Sequence, residues 1–167
     1  MTVPLYGFRP VRLELFVSQS EVPPQAADPL GAYIVENQVG FLLRRAHQRH
    51  ASIFLETMAA HDLTPTQFTA LIKVIELGRV TQNLLGRLTA MDPATIQGVV
   101  RRLVDRDLVS RALDPMDRRT TVLIATDAGI ALAARAVVAA RAITAATLAP
   151  LDDDERIQLT ALLRKLG

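Results

Sequence analysis

Apolar residues recur every three or four positions through most of the chain, which is the period of helices with one buried face. The first such stretch covers residues 30–60, and its apolar positions are Val35, Val39, Leu42, Ala46 and Ile53. A second helix has a marked start, because Thr64 and Gln67 are placed to form a capping box around Pro65. We expect it to end at Gly78, since glycine readily adopts the left-handed conformation that follows a helix. The pattern therefore predicts two consecutive helices before residue 79.

Two shorter helices follow, separated by a tight turn. The first lies in the segment QNLLGRLTA, where Leu84, Leu85 and Leu88 are expected to point inward. The second is predicted in MDPATIQGVVRRLVDRD, where Asp92 can cap the helix and Pro93 suits its first turn. Two short helices joined in this way are typical of a helix-turn-helix.

The second of these short helices has two chemically different faces. Its apolar face consists of Ile96, Val99, Val100, Leu103 and Val104. Its exposed face consists of Gln97, Gly98, Arg101 and Arg102, with Ala94 and Thr95 at the N-terminal end. The segments LVSRAL and TTVLIA come next, and they are typical of the two strands of a hairpin. A helix-turn-helix followed by a hairpin predicts a mainly α fold with a small β-hairpin wing, which is a winged helix-turn-helix.

The remainder of the chain is predicted to contain one long helix and one short helix. Thr126 can cap an alanine-rich helix that extends to about Ala149, and Pro150 breaks it. Asp152 and Glu155 then start a final helix whose apolar stripe is Leu159, Leu163 and Leu166. An alanine-rich helix can pack closely against a partner but makes a weak core by itself, so these helices favour association between chains.

Composition narrows the classes of function. The 167 residues include no cysteine, which removes disulfides and thiolate metal sites from consideration. No charge-free stretch exceeds about ten residues, so we expect a cytoplasmic protein with no membrane span and no membrane partner. The chain contains no glycine-rich phosphate loop, nucleophile elbow or His-Glu metal motif. We therefore expect neither an enzyme nor a bound cofactor.

The positive charge is concentrated in one part of the chain. The formal net charge is only +2, but 17 of the 19 basic residues are arginine. Arginine grips phosphates and base edges through its planar fork, although a GC-rich genome would favour arginine as well. Six arginines fall within one short stretch: Arg101, Arg102, Arg106, Arg111, Arg118 and Arg119. One surface is therefore expected to face a polyanion.

The segment DPMDRRTTVLIATDAG, with TQNLLGRLTAMDPATIQGVVRRLVDRDLVSR just before it, resembles the MarR family of bacterial transcription regulators. The resemblance covers roughly residues 31–167 and includes the long leading helix. The D-x-R wing motif of the family falls at Asp117, Arg118 and Arg119, followed at the family's spacing by Val122 and Thr126. Three positions depart from the family pattern: Gly98 in mid-helix, Asp107 in place of a glycine, and Ala125 in place of a leucine.

The resemblance implies an obligate homodimer that regulates transcription. Residues 30–60 and 127–167 would form a helical dimerisation layer, and residues 61–126 would form the winged helix-turn-helix DNA-binding domain. Residues 1–29, which include the proline-rich linker EVPPQAADP, have no counterpart in the family and are expected to be an N-terminal arm. The dimer would place two recognition helices in successive major grooves, about 34 Å apart, on a palindromic double-stranded operator.

Base reading is expected from the exposed face of the fourth helix. Three residues are placed to reach base edges in the major groove: Thr95, Gln97 and Arg101. Arg102 is expected on a phosphate, where it fixes register without reading sequence. Ala94 and Gly98 lie on the same surface, and a glycine there lets the helix approach the groove closely.

The wing is expected to meet the minor groove. Arg119 occupies the position that the family places in that groove, Arg118 lies beside it, and Asp117 would orient the arginine. The alternative interpretation is a hairpin whose arginines are merely solvated. The helix-turn-helix immediately upstream favours the interpretation as a DNA contact.

A ligand site is suggested by the segment LLRRAHQRHASIF in the first helix. Leu43, His47, His50 and Phe54 are spaced to share a face, Arg44 lies one turn before His47, and Phe68 of the second helix could add a wall. A cation and two imidazoles beside apolar walls suit a small aromatic acid. The segment is similar to one in family members that control the breakdown of aromatic acids, hydroxylated nicotinate included. The alternative is that both histidines pack within or across the dimer core.

The same residues bear on three alternatives: a metal site, a winged helix that binds proteins, and a DNA-binding protein without a ligand. His47 and His50 could share a metal ion, but His61 lies about 16 Å further along a continuous helix and cannot complete the site. We therefore expect no metal. A winged helix that binds only proteins would expose apolar residues on its fourth helix, whereas Thr, Gln and Arg are found there. A DNA-binding protein without a ligand differs from a responsive repressor only through the cluster on the first helix.

Overall fold

The computed structural model describes residues 33–166, so the predicted arm over residues 1–29 lies outside the described residues. Eight regular elements follow one another: α1 (Val39–Met58), α2 (Pro65–Leu77), α3 (Gln82–Leu88), α4 (Pro93–Asp105), β1 (Val109–Leu113), β2 (Thr121–Ala125), α5 (Asp127–Leu148) and α6 (Asp153–Leu166). Short 3-10 turns occupy Val35–Asn37 and Ala59–His61. This mostly helical chain with one antiparallel hairpin confirms the predicted winged helix-turn-helix.

The first helix is shorter than predicted. A single helix was expected over residues 30–60, but α1 begins only at Val39. Gln38 just before it is extended, with φ −80° and ψ 135°, and its side chain makes no capping hydrogen bond. At the other end, Asp62 adopts a left-handed conformation with φ 50°, which turns the chain towards α2.

The predicted helix starts are confirmed by their caps. The Gln67 backbone N–H donates to Thr64 Oγ1 over 3.2 Å, and the Thr64 N–H donates to Gln67 Oε1 over 3.0 Å. Asp152 and Glu155 form the same reciprocal pair at the start of α6, with both hydrogen bonds at 2.9 Å. Such caps stabilise a helix by about 1 kcal/mol each, because they satisfy N–H groups that have no partner within the helix.

The core lies where α1, α2, α4 and α5 meet the hairpin. Its largest fully buried side chains include Met58, Leu71, Leu85, Leu103, Leu123 and Ile143. The prediction for α3 was wrong in part, since Leu84 is 37% and Leu88 is 49% exposed. These two residues are four positions apart and share one face of a two-turn helix, so only the opposite face, with Leu85 and Gly86, can be buried.

The sheet contains a contact that the sequence pattern did not predict. β1 and β2 pair antiparallel from Val109 opposite Ala125 to Leu113 opposite Thr121. Val80, between α2 and α3, adds a bridge to β2 through two backbone hydrogen bonds with Leu123, of 3.2 and 2.8 Å. The wing is thereby tied to the start of the helix-turn-helix.

The long helix α5 packs along α1 and buries Ala133, Ala136 and Ile143. Charge spacing led us to expect no membrane span, yet α5 has the length and the hydropathy of one. It also carries Arg135 and Arg141 and packs on α1 through small residues, which are features of a core or interface helix.

Candidate nucleic-acid interface and effector cavity

The N-terminal end of α4 is held by Asp92. One carboxylate oxygen accepts the backbone N–H groups of Ala94 and Thr95 at 3.0 and 2.9 Å, and the other accepts the Thr95 hydroxyl at 2.6 Å. The Thr95 hydroxyl and these N–H groups hold the pKa of Asp92 below its ordinary value. The cap is therefore a carboxylate, and the hydroxyl proton of Thr95 is already used within the protein.

The outer face of α4 is polar and carries a notch. Gln97, Arg101 and Arg102 are exposed, as the helical pattern predicted. No atom lies within 4 Å of the place where a side chain on Gly98 would begin. Ala94, Gln97, Gly98 and Arg101 border a shallow depression there. The glycine is therefore not required by packing within the chain, and it leaves room for another molecule at the centre of this face.

The turn of the wing is built by its aspartates. Asp117 accepts the Arg119 backbone N–H at 3.0 Å and the Thr120 hydroxyl at 2.7 Å, and the hydroxyl followed by the N–H lowers the pKa of Asp117. Asp114 accepts the Met116 N–H at 2.8 Å. Asp117 therefore bonds the backbone of Arg119 and not its guanidinium. It fixes the backbone of the turn that carries the arginine.

The two wing arginines make no ion pair among the described residues. Arg118 and Arg119 are both exposed. The ion pairs within residues 33–166 are Lys73–Glu76, Arg106–Asp62 and Arg156–Asp153. The oxygens of Asp117 accept hydrogen bonds from the turn and not from a guanidinium. Both guanidinium groups therefore remain accessible to a polyanion that approaches the wing.

A cavity of about 200 Å³ lies between α1, α2 and α5. Its lining residues are His50, Phe54, Pro65, Phe68, Thr69, Ala140, Ile143 and Thr144. The rings of His50 and Phe54, and those of Phe54 and Phe68, have centroids 6.4 Å apart. His50 Nδ1 lies 3.0 Å from the hydroxyl oxygen of Thr147 on α5. The cavity combines aromatic walls with an imidazole and hydroxyl groups, which suits a small, flat polar ligand.

The structure brings together three of the five residues that the sequence placed at a ligand site: His50, Phe54 and Phe68. Arg44 and His47 are exposed and lie outside the lining of this cavity. The Arg44 guanidinium instead lies 5.1 Å from the centroid of the Phe41 ring. Within residues 33–166, no three side chains of metal-ligating type lie close enough to hold an ion.

The hydroxyl groups that line the cavity were not predicted from the sequence. Thr69 comes from α2 and Thr144 from α5, and Thr147 lies one turn beyond Thr144. The only sequence signal for Thr144 and Thr147 is that they are two threonines about one turn apart in an otherwise alanine-rich helix. That spacing does not reveal which helix they face, so only the packing of α5 on α1 identifies their role.

Comparisons with known proteins agree with this architecture. Residues 61–120 match the model of the MarR family. The transcriptional repressor NicR of Pseudomonas putida is 38% identical over 150 residues, covering 90% of this chain and 95% of that protein.

Solved structures give the same result. BpsR of Bordetella bronchiseptica, whose structure concerns the regulation of its DNA binding by 6-hydroxynicotinic acid, is 40% identical with a TM-score of 0.78. That match covers 81% of this chain and 97% of BpsR. A probable transcriptional regulator from Pseudomonas aeruginosa is 45% identical with a TM-score of 0.77, covering 80% of this chain and all of that one.

These similarities extend over nearly the whole length of each relative and include the helices outside the winged domain. The proteins concerned are transcriptional regulators, so the expectation that the chain is not an enzyme is confirmed. Together with the winged fold, the free arginines of the wing and the polar face of α4, they show that the chain belongs to the MarR family of winged helix-turn-helix transcriptional regulators.

Proposed function

We propose that the protein is a homodimeric repressor that holds a palindromic operator when empty and releases it when a small aromatic carboxylate binds. The observation that carries this proposal is the cavity at His50, which is bordered by α1 and α5 of the helical layer and by α2 of the winged domain. A ligand there contacts both parts of the chain at once. The relatives NicR, a repressor, and BpsR, regulated by 6-hydroxynicotinic acid, support a hydroxynicotinate as the effector.

The proposed dimer rests on uncovered apolar surface. In the single chain, no residue of α6 is buried. Large apolar side chains of α1, α5 and α6 are exposed, among them Val39, Leu42, Val138, Ile157, Leu162 and Leu166. A second copy would cover these helices, so residues 30–60 and 127–167 would form the dimer layer and residues 61–126 the reading domain. Two-fold symmetry then requires a palindromic operator.

The exposed face of α4 and the turn of the wing support the proposed DNA-contact residues. Gln97 and Arg101 would contact base edges, and Arg102 a phosphate. Thr95 would contact the bases through its methyl group and its hydroxyl oxygen, because the hydroxyl already donates its hydrogen bond to the Asp92 carboxylate. Ala94 and Gly98 would allow a close approach. Arg119, with Arg118 beside it on the turn that Asp117 shapes, would enter the minor groove.

The proposed effector would fill the cavity between the aromatic rings. Phe54 and Phe68 would pack on the flat ring, and His50 would bind the carboxylate. Arg44 and His47 lie outside this cavity in the single chain, so their predicted role requires the second protomer to bring them to it. The ligand must prefer an arrangement of the winged domains that does not fit DNA. A coupling of about 1–3 kcal/mol, usual for allostery, would weaken DNA binding about 5- to 150-fold.

The first test is binding of the purified protein to the DNA upstream of its own gene, at several salt concentrations, with and without a panel of aromatic carboxylates that includes hydroxynicotinates. We expect tight, salt-dependent binding that one compound releases, and we expect His50→Ala to bind DNA normally but lose most of the release. The matched control is His61→Ala, because His61 lies outside the cavity.

The alternative outcomes of this test point to other functions or to another effector site. If no compound releases the DNA, the protein binds DNA constitutively and His50 has a packing role. If the protein binds no specific DNA at any salt concentration, the winged domain recognises a protein. If His50→Ala responds as well as the wild type, the effector binds elsewhere.

We expect the glycine at position 98 to lower the stability of the fold and to strengthen operator binding. Alanine is about 1 kcal/mol more favourable than glycine inside a helix, and nothing within 4 Å obstructs the added methyl group. Gly98→Ala should therefore raise the melting temperature by about 2–4 °C while weakening operator binding several-fold. Thermal unfolding and operator titration would measure the two effects. Unchanged DNA affinity would mean that the notch does not face the operator.

A further inference from the structure

The guanidinium of Arg106 joins the end of the recognition helix to the junction between α1 and α2. Arg106 is the C-cap of α4. Its Nη1 donates to the backbone carbonyl of Asp62, and its Nη2 donates to the carbonyl of His61 over 3.5 Å. The same Nη2 lies 3.5 Å from the Asp62 carboxylate. Three acceptors on one short segment are thus held by a single side chain.

This contact differs from the other ion pairs of the chain. Within residues 33–166, the remaining two pairs join residues three positions apart on one helix, whereas Arg106 and Asp62 are 44 positions apart. The Arg106 side chain is only 32% exposed. Carbonyls at the end of a helical turn have no partner within it, so the arginine satisfies groups that would otherwise need water.

The junction that receives Arg106 leads directly to the cavity. Asp62 adopts a left-handed conformation, and its N–H donates to the carbonyl of Ala59, so the turn is tight. Two residues later Thr64 caps α2, whose first turn brings Pro65 and Phe68 to the cavity wall. α2 also packs directly on α4. A movement of α2 caused by a ligand would therefore reach α4 through that packing and, at the C-terminal end of α4, through Arg106.

We propose that Arg106 is a positioning residue for DNA recognition. It fixes the C-terminal end of α4 to the α1–α2 junction, where the helical layer meets the winged domain, and so sets the angle between the recognition helix and that layer. The inference rests on the proposed function, because the angle matters only when two recognition helices must fit one operator. Arginine suits the task because its planar fork can hold several acceptors in fixed directions, which lysine cannot do. Its hydrogen bonds with the protein also keep it from phosphates.

The test compares operators of native and altered half-site spacing. Arg106→Gln is expected to weaken binding to the native operator about tenfold and to reduce the penalty for inserting one base pair between the half-sites, with an unchanged salt slope. Arg106→Lys, which keeps one donor and the charge, should recover part of both effects. The matched control is Arg102→Gln, which should lower the salt slope by about one per protomer and leave the spacing penalty unchanged.

Two results would overturn the proposal. A lower salt slope for Arg106→Gln would make Arg106 a phosphate contact. Native affinity and a native spacing penalty in Arg106→Gln would show that the contact does not set the angle. If Arg106→Gln does not fold, the spacing penalty alone is the criterion for Arg106→Lys, because lysine keeps the charge and therefore the salt slope.

A second measurement does not depend on DNA. The chain has no cysteine, so spin labels can be attached at Gln48→Cys on α1 and Gln97→Cys on α4, and labelled protein can be diluted with unlabelled protein. The distribution of distances within one chain should be narrow in the wild-type background and broader with Arg106→Gln. Because a label at residue 97 would itself disturb base contacts, DNA binding is measured on the unlabelled wild type. Broadening together with no DNA binding by that protein would support the contact and reject the proposed function. An unchanged distribution would reject the inference alone.

Discussion

Arg119→Ala is expected to weaken operator binding by about 1–3 kcal/mol, which corresponds to about 5- to 150-fold. The guanidinium has no ion-pair partner within residues 33–166, so it can contact DNA without first breaking an ion pair. The narrow minor groove concentrates negative potential, and an arginine inserted there gains more than one on an exposed phosphate. Titration of the operator at several salt concentrations would measure the loss.

The same substitution should leave folding almost unchanged. Asp117 binds the backbone N–H of residue 119, which alanine retains, and the Thr120 hydroxyl keeps its place on the carboxylate. The melting temperature should therefore stay close to that of the wild type. Arg135→Ala is the matched control, because Arg135 is an exposed arginine on α5, away from the wing. Native affinity in Arg119→Ala would remove the wing from the DNA-binding mechanism.

The parts of the fold that could be predicted from sequence are those fixed by neighbours in the chain. The cap at Thr64 depends on residues three positions apart, and the Asp92 cap does so too. Helical periodicity likewise identified the apolar face of α4. Contacts between distant segments left no such signal. The bridge between Val80 and Leu123 joins residues 43 positions apart, and neither residue differs from an ordinary core valine or leucine.

The candidate site shows the same division. The exposed face of α4 was predicted because one helix carries all of it. The sequence predicted the α1 side of the cavity, where His50 and Phe54 are one turn apart, and one residue of its α2 side, Phe68. Thr144 is contributed by α5, and its place depends on how two helices pack. Arg44 and His47 share the α1 sequence pattern with His50, but they precede it by six and three residues, and both are exposed and outside the cavity lining.

The conformation of Asp107 explains one departure from the family pattern. This residue, where a glycine is usual, adopts a left-handed conformation with φ 54°. Aspartate tolerates that region better than most residues because its short side chain can bond locally. The Asp107 carbonyl also accepts the Thr126 hydroxyl over 2.6 Å, which ties the end of the recognition helix to the start of α5.

That junction also depends on a glycine whose importance the sequence did not show. Thr126 caps α5 by accepting the Gly129 N–H over 3.0 Å, and its own N–H donates to the Leu108 carbonyl over 3.1 Å. A side-chain carbon on residue 129 would overlap the Leu108 carbonyl oxygen and lie 3.0 Å from its carbon. The obstructing atoms belong to the backbone of Leu108, so no change of side-chain rotamer can relieve the overlap.

Gly129→Ala is therefore expected to destabilise the protein by about 3 kcal/mol or more, the upper range for an overfilled core, and to lower the melting temperature by about 6–12 °C. Gly98→Ala provides the matched control, because the same change in an unobstructed helix should raise the melting temperature. Opposite signs in the two variants would show that close approach to Leu108, and not helix propensity, sets the requirement at residue 129. A stabilised Gly129→Ala would mean that α5 can move away from the hairpin at little cost, and the tie between the reading domain and the helical layer would then be a loose one.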